Sequence, residues 1–219
     1  MALDVAQFRL HRSLKQVLQR FTRNANCEIR IDSAFERVIN ACAQTHRSGP
    51  VVKPVENPLS GQAGETTGGA SGEDADENSA ESSNEAPSTW IVPDMVQAYG
   101  ALHRAGHAHS VEVWEQGELV GGLYCVALGK AVFGESMFSW QPNASKIALA
   151  ALVSFCRFYK IRMVDCQQNT RHLASLGAAE IPRSAFVSHV AASAPLAGPQ
   201  WQFLPLYWKE ILPNSTPSA

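Results

Sequence analysis

Residues 106–138 read GHAHSVEVWEQGELVGGLYCVALGKAVFGESMF, and this stretch contains three β-strand patterns in succession. In the first pattern Val111 and Val113 lie on one side of the chain, and polar or amphipathic residues lie on the other. Residues 116–118 predict a hairpin turn, and residues 129–130 predict a second turn. The predicted strands cover residues 109–115, 119–128 and 131–137. The stretch therefore predicts three antiparallel strands of one sheet.

Further helices and strands are predicted on both sides of this stretch. Pro93 suits the first turn of a helix, and Tyr99 and Leu102 lie on the apolar face of that helix. After the three strands, the sequence predicts a long helix, a short central strand, a helix that ends at Gly177 and a helix that begins at Pro182. Their predicted ranges are 143–159, 162–167, 170–176 and 182–190. Together these elements predict an α+β sandwich with helices flanking a mixed or antiparallel sheet.

The first 47 residues predict a helix, a strand and a second helix. Ser13 is predicted to cap the first helix. The apolar residues of this helix are Leu14, Val17, Leu18 and Phe21. Residues 27–31 alternate as in a half-buried strand. Ser33 and Glu36 form a capping-box pattern at the start of the second helix.

Composition divides the chain into four parts. Residues 55–88 contain eight acids and no Lys or Arg, and residues 48–88 contain no aromatic residue, so we expect a disordered acidic insert. The other predicted parts are residues 1–47 (the start of the folded body), 89–213 (its catalytic part) and 214–219 (a loose tail). Outside the insert the bases outnumber the acids, which is typical either of ordinary solvated helix faces or of a protein that binds RNA.

The composition also excludes several classes of protein. No apolar run approaches the ~18–20 residues of a membrane span, and we expect no secretory signal near Met1. The five cysteines are an odd number without a C-x-x-C pair, which predicts reduced thiols and a cytoplasmic location. The sequence contains no phosphate-binding P-loop, dinucleotide fingerprint, hydrolase elbow or zinc-protease motif.

Polar residues in two apolar strands are the first candidates for catalysis. Glu135 follows Val-Phe-Gly in the third strand, and Asp165 and Gln167 follow Met-Val in the strand after the long helix. Strand alternation predicts that Asp165 and Gln167 point to one face and Cys166 to the other. An acid beside an amide can orient a nucleophile, although such pairs also cap sheets and helices.

Two further clusters have competing interpretations. Four polar residues lie between the end of the third strand and the first turn of the long helix, and they suit either anion binding at its N-terminus or ordinary capping by Asn143 or Ser145. They are Ser139, Asn143, Ser145 and Lys146. His103, His107 and His109 have partly metal-like spacing, but no Cys or carboxylate accompanies them, so we predict no metal site.

Short motifs follow one another between residues 89 and 190. They are Thr89-Trp90-Ile91, Ala98-Tyr99 with Leu102-His103, residues 106–114, residues 119–124, residues 134–139, Ala144-Ser145-Lys146, Asp165-Cys166-Gln167 and residues 175–178. Nearer the N-terminus come Arg12-Ser13-Leu14, and Phe35 and Val38-Ile39 with Cys42-Ala43. In order and spacing the motifs resemble those of the leucyl/phenylalanyl-tRNA–protein transferase family.

This resemblance implies a fold related to the GCN5-type N-acyltransferases. It also implies a reaction in which leucine or phenylalanine moves from its aminoacyl-tRNA to the α-amine of a protein beginning with Arg or Lys. Such tagging marks the acceptor for N-end-rule degradation. The resemblance implies no cofactor and no membrane partner, and we expect a monomer.

The family's functional roles fall on residues of this chain by motif. Asp165 and Gln167 would serve the attack, Glu135 would hold the substrate, and Trp90 would face the terminal adenosine of the tRNA. The apolar residues expected to line the side-chain pocket are Leu123, Val132, Leu152, Cys156 and Val164. From their charge, and not by motif, the basic residues Arg9, Arg12 and Lys15 are expected to contact the tRNA acceptor stem.

The chain departs from the family pattern in two ways. We expect it to lack a further N-terminal domain with a G-x-F-P-W-like segment, and it carries an insert of roughly 35 residues. Two alternatives stand beside the transferase. One, suggested by the shared sandwich fold, is an acyl-CoA-dependent N-acyltransferase, against which the missing Q/R-x-x-G-x-G/A loop argues. The other is an inactive remnant that binds tRNA or protein N-termini.

Overall fold

The protein folds as a six-stranded mixed sheet with helices on both faces. The computed structural model describes residues 1–44 and 91–213. The strands are β1 (Ala2–Asp4), β2 (Cys27–Ile31), β3 (Ala108–Glu115), β4 (Glu118–Leu128), β5 (Ala131–Ser139) and β6 (Met163–Asp165). Their order is β1-β6-β5-β4-β3-β2; β5 and β6 run parallel, and the other neighbours run antiparallel. The predicted α+β class is confirmed, and the architecture is consistent with an acyltransferase-like sandwich.

The helices follow the predicted periodicities closely. They are α1 (Arg12–Arg23), α2 (Phe35–Gln44), α3 (Pro93–Arg104), α4 (Ala144–Phe158), α5 (Arg171–Ser175) and α6 (Arg183–Ser193). Short 3-10 turns lie at Val5–Gln7 and Pro205–Glu210. Thr170 caps α5 through its hydroxyl, which accepts from the N–H of Leu173. Pro93 occupies the first turn of α3, where a missing backbone N–H costs no helical hydrogen bond.

The two faces of the sheet have separate cores. Val111, Val113 and Leu123 point toward α1 and α4, in a core that also takes in the C-terminal 3-10 turn. Trp114 and Tyr124 point the other way, toward α2 and the apolar side of α3. The predicted division of β3 into two sides is confirmed. Because helices cover both faces, the polar residues His109, Ser110 and Glu112 of β3 are buried, and only Glu115 at its end is exposed.

The structure corrects three predicted helix caps. Ser13 lies inside the first turn of α1, which His11 precedes without a side-chain cap. Ser33 does not close a capping box within its own segment, since its hydroxyl donates to Glu112 of β3. Asn143 precedes α4 in a left-handed conformation, and the N–H of Ser145 instead donates to the hydroxyl of Ser139 at 3.3 Å.

The strand after α4 is shorter and less central than predicted. β6 has three residues and lies second from the edge, between β1 and β5. The sequence patterns do not reveal β1, whose three residues are too few for a period to show. Because β1 pairs with β6 on its outer side, β6, which the sequence predicts to be central, lies next to the edge strand.

Two predicted parts of the chain lie outside the described residues. These are the acidic insert, residues 48–88, and the tail, residues 214–219. Across residues 1–44 and 91–213, no helix combines the length and the apolar character needed to span a bilayer.

Candidate active site

A β-bulge places Glu135 on the face of the sheet that α3 covers. Tyr124 pairs with Ser136 and Cys125 pairs with Gly134, so Glu135 is an extra residue on β5. A bulge of this kind redirects a side chain that regular alternation would place elsewhere. The sequence indicates Glu135 as a polar residue in an apolar strand and by motif, whereas its orientation depends on the register between β4 and β5.

The Glu135 carboxylate joins two distant parts of the chain. Its Oε2 accepts a hydrogen bond from the Tyr99 hydroxyl at 2.8 Å and another from Nε2 of Gln167 at 3.0 Å. Burial, followed by the neighbouring Glu135, raises the pKa of Tyr99 well above its ordinary value. The tyrosine therefore stays protonated and donates throughout the neutral range.

The sequence analysis places Tyr99 on the apolar face of α3 and in the Ala98-Tyr99 motif, but gives it no functional role. Its ring does pack there, edge-on against Tyr124 with ring centroids 5.1 Å apart. Its hydroxyl, however, extends beyond this ring contact and donates a hydrogen bond to the Glu135 carboxylate. The sequence signal for this role is a tyrosine on an otherwise apolar helical face, because a buried tyrosine hydroxyl usually has a hydrogen-bond partner.

Gln167 lies beyond the end of its strand, although the sequence predicts that strand alternation orients its side chain. β6 ends at Asp165, and Gln167 has a left-handed backbone with φ of 55°. Its N–H donates to Oδ1 of Asp165 at 3.0 Å, which holds this turn. The strand-alternation argument therefore does not apply to Gln167. A left-handed conformation in a non-glycine residue is uncommon and recurs at functional sites.

Cys166 lies between the two polar residues but packs against the core on the α4 side. Burial, and then the charge of Asp165, raises the pKa of its thiol to about 11. At neutral pH the side chain is therefore a thiol. The thiolate is the reactive form of cysteine. Its environment fits packing and not nucleophilic attack.

A cleft of about 330 Å³ opens beside Asp165 and Gln167. Its other lining residues are Met1, Ala2, Ile181, Arg183 and Phe186. Phe186 of α6 packs edge-on against Phe133 of β5, with ring centroids 6.4 Å apart. The cleft thus lies between the β6 end of the sheet and the start of α6, with a carboxylate and an amide on its wall.

The five predicted pocket residues lie together in the core on the α4 side of the sheet. Their side chains are buried, with exposures between 0 and 3 %. They are Leu123, Val132, Leu152, Cys156 and Val164. None of the five lines the cleft beside Asp165. Trp90, the predicted adenosine platform, lies outside the described residues.

The predicted RNA-binding residues are exposed at and before the start of α1. Arg12 is the first residue of this helix, and Lys15 lies within its first turn. His11 forms a 2.7 Å hydrogen bond through Nε2 with the carbonyl of Ser175, at the end of α5. The N–H of Arg9 donates to the carbonyl of Leu176 at 2.9 Å. The N-terminal end of α1, which carries Arg12 and Lys15, is thus adjacent to α5, the short helix that follows Gln167.

Two of the three histidines singled out by their spacing, His103 and His109, have structural partners for their rings. His103 Nδ1 bonds to the carbonyl of Ala108 at 2.8 Å, and His109 Nδ1 bonds to Asp32 at 2.7 Å. His109 also stacks on Trp201 with ring centroids 4.0 Å apart. Within residues 1–44 and 91–213, no three His, Cys, Asp or Glu side chains converge as a metal site requires.

Comparisons with known proteins identify the family of this chain. The family described as Leucyl/phenylalanyl-tRNA protein transferase matches residues 73–191. A leucyl/phenylalanyl-tRNA–protein transferase of Polaromonas sp. (strain JS666 / ATCC BAA-500) is 53 % identical over 218 residues, covering 100 % of this chain and 71 % of the relative. The corresponding protein of Albidiferax ferrireducens is 51 % identical, covering 97 % and 69 %. That of Methylibium petroleiphilum is 42 % identical, covering 99 % and 69 %. This chain belongs to the leucyl/phenylalanyl-tRNA–protein transferase family of enzymes.

Proposed function

We propose that this protein transfers leucine or phenylalanine from aminoacyl-tRNA to the α-amine of proteins that begin with Arg or Lys. The observation that carries the proposal is the hydrogen-bonded group of Tyr99, Glu135 and Gln167 beside the Asp165 cleft. In the proposed setting the protein acts as a cytoplasmic monomer, and the transfer marks its acceptor for N-end-rule degradation.

Hydrogen bonding within this group leaves one acceptor atom on each of two side chains for substrate. Tyr99 and Gln167 both donate to Oε2 of Glu135, and no described residue donates to Oε1. Oε1 can therefore pair with the α-ammonium of the leucyl or phenylalanyl donor. Because Nε2 of Gln167 is engaged by Glu135, its Oε1 is left to accept an N–H of the incoming amine.

The chemical step needs alignment more than strong acid or base. The nitrogen of the acceptor attacks the ester carbonyl, the new amide bond forms, and the bond from the carbonyl to the ribose oxygen breaks. The amine loses a proton, and the ribose hydroxyl gains one. Gln167 is too weak a base to take the amine proton alone, so Asp165 supplies negative charge and a water relay carries the proton.

Selection of leucine and phenylalanine requires an apolar pocket. The proposal places that pocket at Leu123, Val132, Leu152, Cys156 and Val164. These residues are packed together in the core, so admitting a donor side chain requires them to move apart. An apolar pocket rejects polar side chains but discriminates weakly between near-isosteres, since one methylene is worth only ~1–3 kcal/mol.

Transfer of radiolabel tests the proposal directly. We expect the protein to move [³H]leucine from leucyl-tRNA to an acceptor peptide that begins with Arg, in a reaction that ribonuclease abolishes. A peptide that begins with Asp is the matched negative acceptor. Gln167→Ala should reduce transfer strongly at unchanged thermal stability. Absence of ribonuclease-sensitive transfer, at enzyme levels where a longer relative is active, would contradict the proposal, and saturable acetyl-CoA binding would favour the acyl-CoA alternative.

A further inference from the structure

The cleft beside Asp165 and Gln167 has side chains of opposite charge on its walls. Asp165 is the last residue of β6, and Arg183 is the first residue of α6. Among the described residues that line this cleft, Arg183 has the only cationic side chain. Ile181 and Phe186 add apolar surface next to it. The cleft can therefore contact a ligand that has a cationic end, a short apolar part and an anionic group.

The guanidinium of Arg183 is accessible and carries an unbalanced charge. The residue is exposed, and it forms no ion pair with any residue of the described ranges 1–44 and 91–213. The nearest acid along the chain, Glu180, accepts a hydrogen bond from Nδ2 of Asn169 at 2.6 Å. The first turn of α6 contains no acidic residue. The positive charge of this wall is therefore not neutralised by residues of the same segment.

The proposed reaction indicates which ligand enters this cleft. Under the proposed function, the incoming amine approaches Oε1 of Gln167, and Asp165 supplies negative charge beside it. That amine is the first group of a polypeptide, so the rest of the acceptor chain has to continue away from Gln167. The cleft begins at these two residues and extends to the start of α6. Its volume of about 330 Å³ is at the lower end of the range of ligand-binding pockets.

We propose that this cleft binds the second residue of the acceptor protein, and that Arg183 makes it favour an acidic side chain at that position. The proposal rests on the proposed function, because it takes the α-amine of the acceptor to lie at Gln167. The carboxylate of an acidic second residue pairs with Arg183, and its methylene groups contact Phe186. A basic second residue is repelled by the same guanidinium, so charge at this position sets the order of acceptors.

The composition of the cleft favours an amino-acid side chain over a phosphate of the tRNA as the partner of Arg183. Asp165 lies in the same cleft and would repel a phosphate group. Phe186, which packs edge-on against Phe133, presents an apolar ring without a hydrogen-bond donor. Phosphate is bound in proteins by several donors together, whereas an acidic side chain offers both an apolar stem and a carboxylate.

Three acceptor peptides that differ only at the second residue test this inference. They begin with Arg-Glu, Arg-Gln and Arg-Lys. We expect kcat/KM for label transfer to decrease in this order, by about fivefold from the first to the last, which is the upper range for a partly exposed ion pair. Arg183→Gln should abolish the preference, and Arg183→Glu should reverse it. The preference of the unmodified protein should become smaller as the salt concentration rises.

Arg104→Gln is the matched control, because it removes an exposed charge at the end of α3, outside the lining of the cleft. This variant should keep the original order of the three peptides. An unchanged order in Arg183→Gln would overturn the inference. A higher KM for leucyl-tRNA in Arg183→Gln, with equal effects on all three peptides, would also overturn it and would assign Arg183 to the tRNA.

Equilibrium binding of the same peptides, labelled at their C-terminal ends, reports on Arg183 without catalysis. The affinities should follow the order Arg-Glu, Arg-Gln, Arg-Lys in the unmodified protein and the reverse order in Arg183→Glu. Equal affinities in both proteins would contradict the inference. Absence of label transfer by the unmodified protein would contradict the proposed function, and the order of the peptide affinities would then still decide on Arg183.

Discussion

The Tyr99 hydroxyl is one of only two groups in the described chain that donate to the Glu135 carboxylate. We expect Tyr99→Phe to lower kcat by about tenfold, because a hydrogen bond to a charged group contributes ~1.5–3 kcal/mol and its loss frees the carboxylate to move. The variant should keep its thermal stability, since the ring contact with Tyr124 is retained. Steady-state transfer assays, with melting curves, measure both effects.

Tyr159→Phe is the matched control for this prediction. Its hydroxyl lies 3.0 Å from that of Tyr207, remote from Glu135, so its loss should leave kcat unchanged. Because the pKa of Tyr99 is raised, the tyrosine remains a donor over the whole neutral range, and Tyr99→Phe should reduce activity by the same factor from pH ~6.5 upward to pH ~8.5. A kcat equal to wild type would show that Tyr99 serves only packing.

Cys166 provides a second test at the level of a single side chain. Its thiol pKa of about 11 keeps it protonated at neutral pH, so it has no role as a nucleophile in the proposed mechanism. We expect Cys166→Ala to retain transfer activity within about threefold, and to lose stability in proportion to the small side chain removed. Formation of an acyl-enzyme that survives denaturation and disappears in Cys166→Ala would refute this expectation.

The N-terminus of α2 depends on a residue from another element. Glu112 is fully buried, and each of its carboxylate oxygens accepts one hydroxyl and one N–H. Oε1 accepts from the Ala34 N–H and the Ser110 hydroxyl, and Oε2 accepts from Trp114 and the Ser33 hydroxyl. The carboxylate therefore connects β3 to the start of α2 and replaces the capping box that the sequence predicts.

Glu112→Gln should lower the free energy of unfolding by ~1–3 kcal/mol, although it preserves shape. A serine hydroxyl can turn around and accept, but the N–H groups of Ala34 and Trp114 cannot. Whichever way the amide is oriented, its NH₂ therefore faces an N–H, and one hydrogen bond is lost. Denaturant unfolding measures the effect. Glu115→Gln, exposed on the same strand, is the control and should change stability by less than ~0.5 kcal/mol.

Close packing of α4 on the sheet depends on Gly121. A Cβ at this position would lie 2.3 Å from the Cβ of Ala144, the first residue of α4. We expect Gly121→Ala to cost ~1–3 kcal/mol, because backbone and a rigid methyl cannot yield as a flexible side chain does. In Gly100→Ala, on α3, the new Cβ has room at 3.4 Å from Arg104 and should gain helix stability. Equal stability changes in the two variants would contradict this account.

The distribution of charge over the folded body predicts how it binds RNA. Arg12 and Lys15 are exposed on α1, which touches α5 through His11. We expect the double variant Arg12→Gln/Lys15→Gln to raise KM for leucyl-tRNA and to reduce the salt slope of binding by about one for each side chain that pairs with a phosphate. Transfer from a minimal leucyl-adenosine donor should be nearly unaffected.

Lys209→Gln serves as the control for this change in charge. Lys209 lies in the C-terminal 3-10 turn, which packs near the end of α4, where Arg157 donates to the carbonyl of Glu210. The Lys209→Gln variant should change neither KM for leucyl-tRNA nor the salt slope of tRNA binding. Equal losses with tRNA and with leucyl-adenosine would show instead that Arg12 and Lys15 support the fold.

Local sequence patterns are sufficient to predict most of the elements of this protein. Alternation and glycine-containing turns identify β3, β4 and β5, because side-chain burial in a hairpin repeats along the local chain. The apolar character of α4 likewise reflects its burial between the sheet and the C-terminal turn. The motifs around Glu135, Asp165 and Gln167 are also sufficient to recognise the family, which the comparisons confirm.

The arrangement of the candidate site depends on contacts between segments that are distant in sequence. The Glu135 bulge exists only in the register of β5 against β4, and the Tyr99 hydrogen bond joins residues 36 positions apart. The left-handed turn at Gln167 follows the early end of β6, which no periodicity reports. Sequence periodicity indicates which side of its own helix or strand a residue faces. Tertiary structure decides which residues it contacts on that side, because strand register, bulges and contact partners are set by the pairing energies between separate elements.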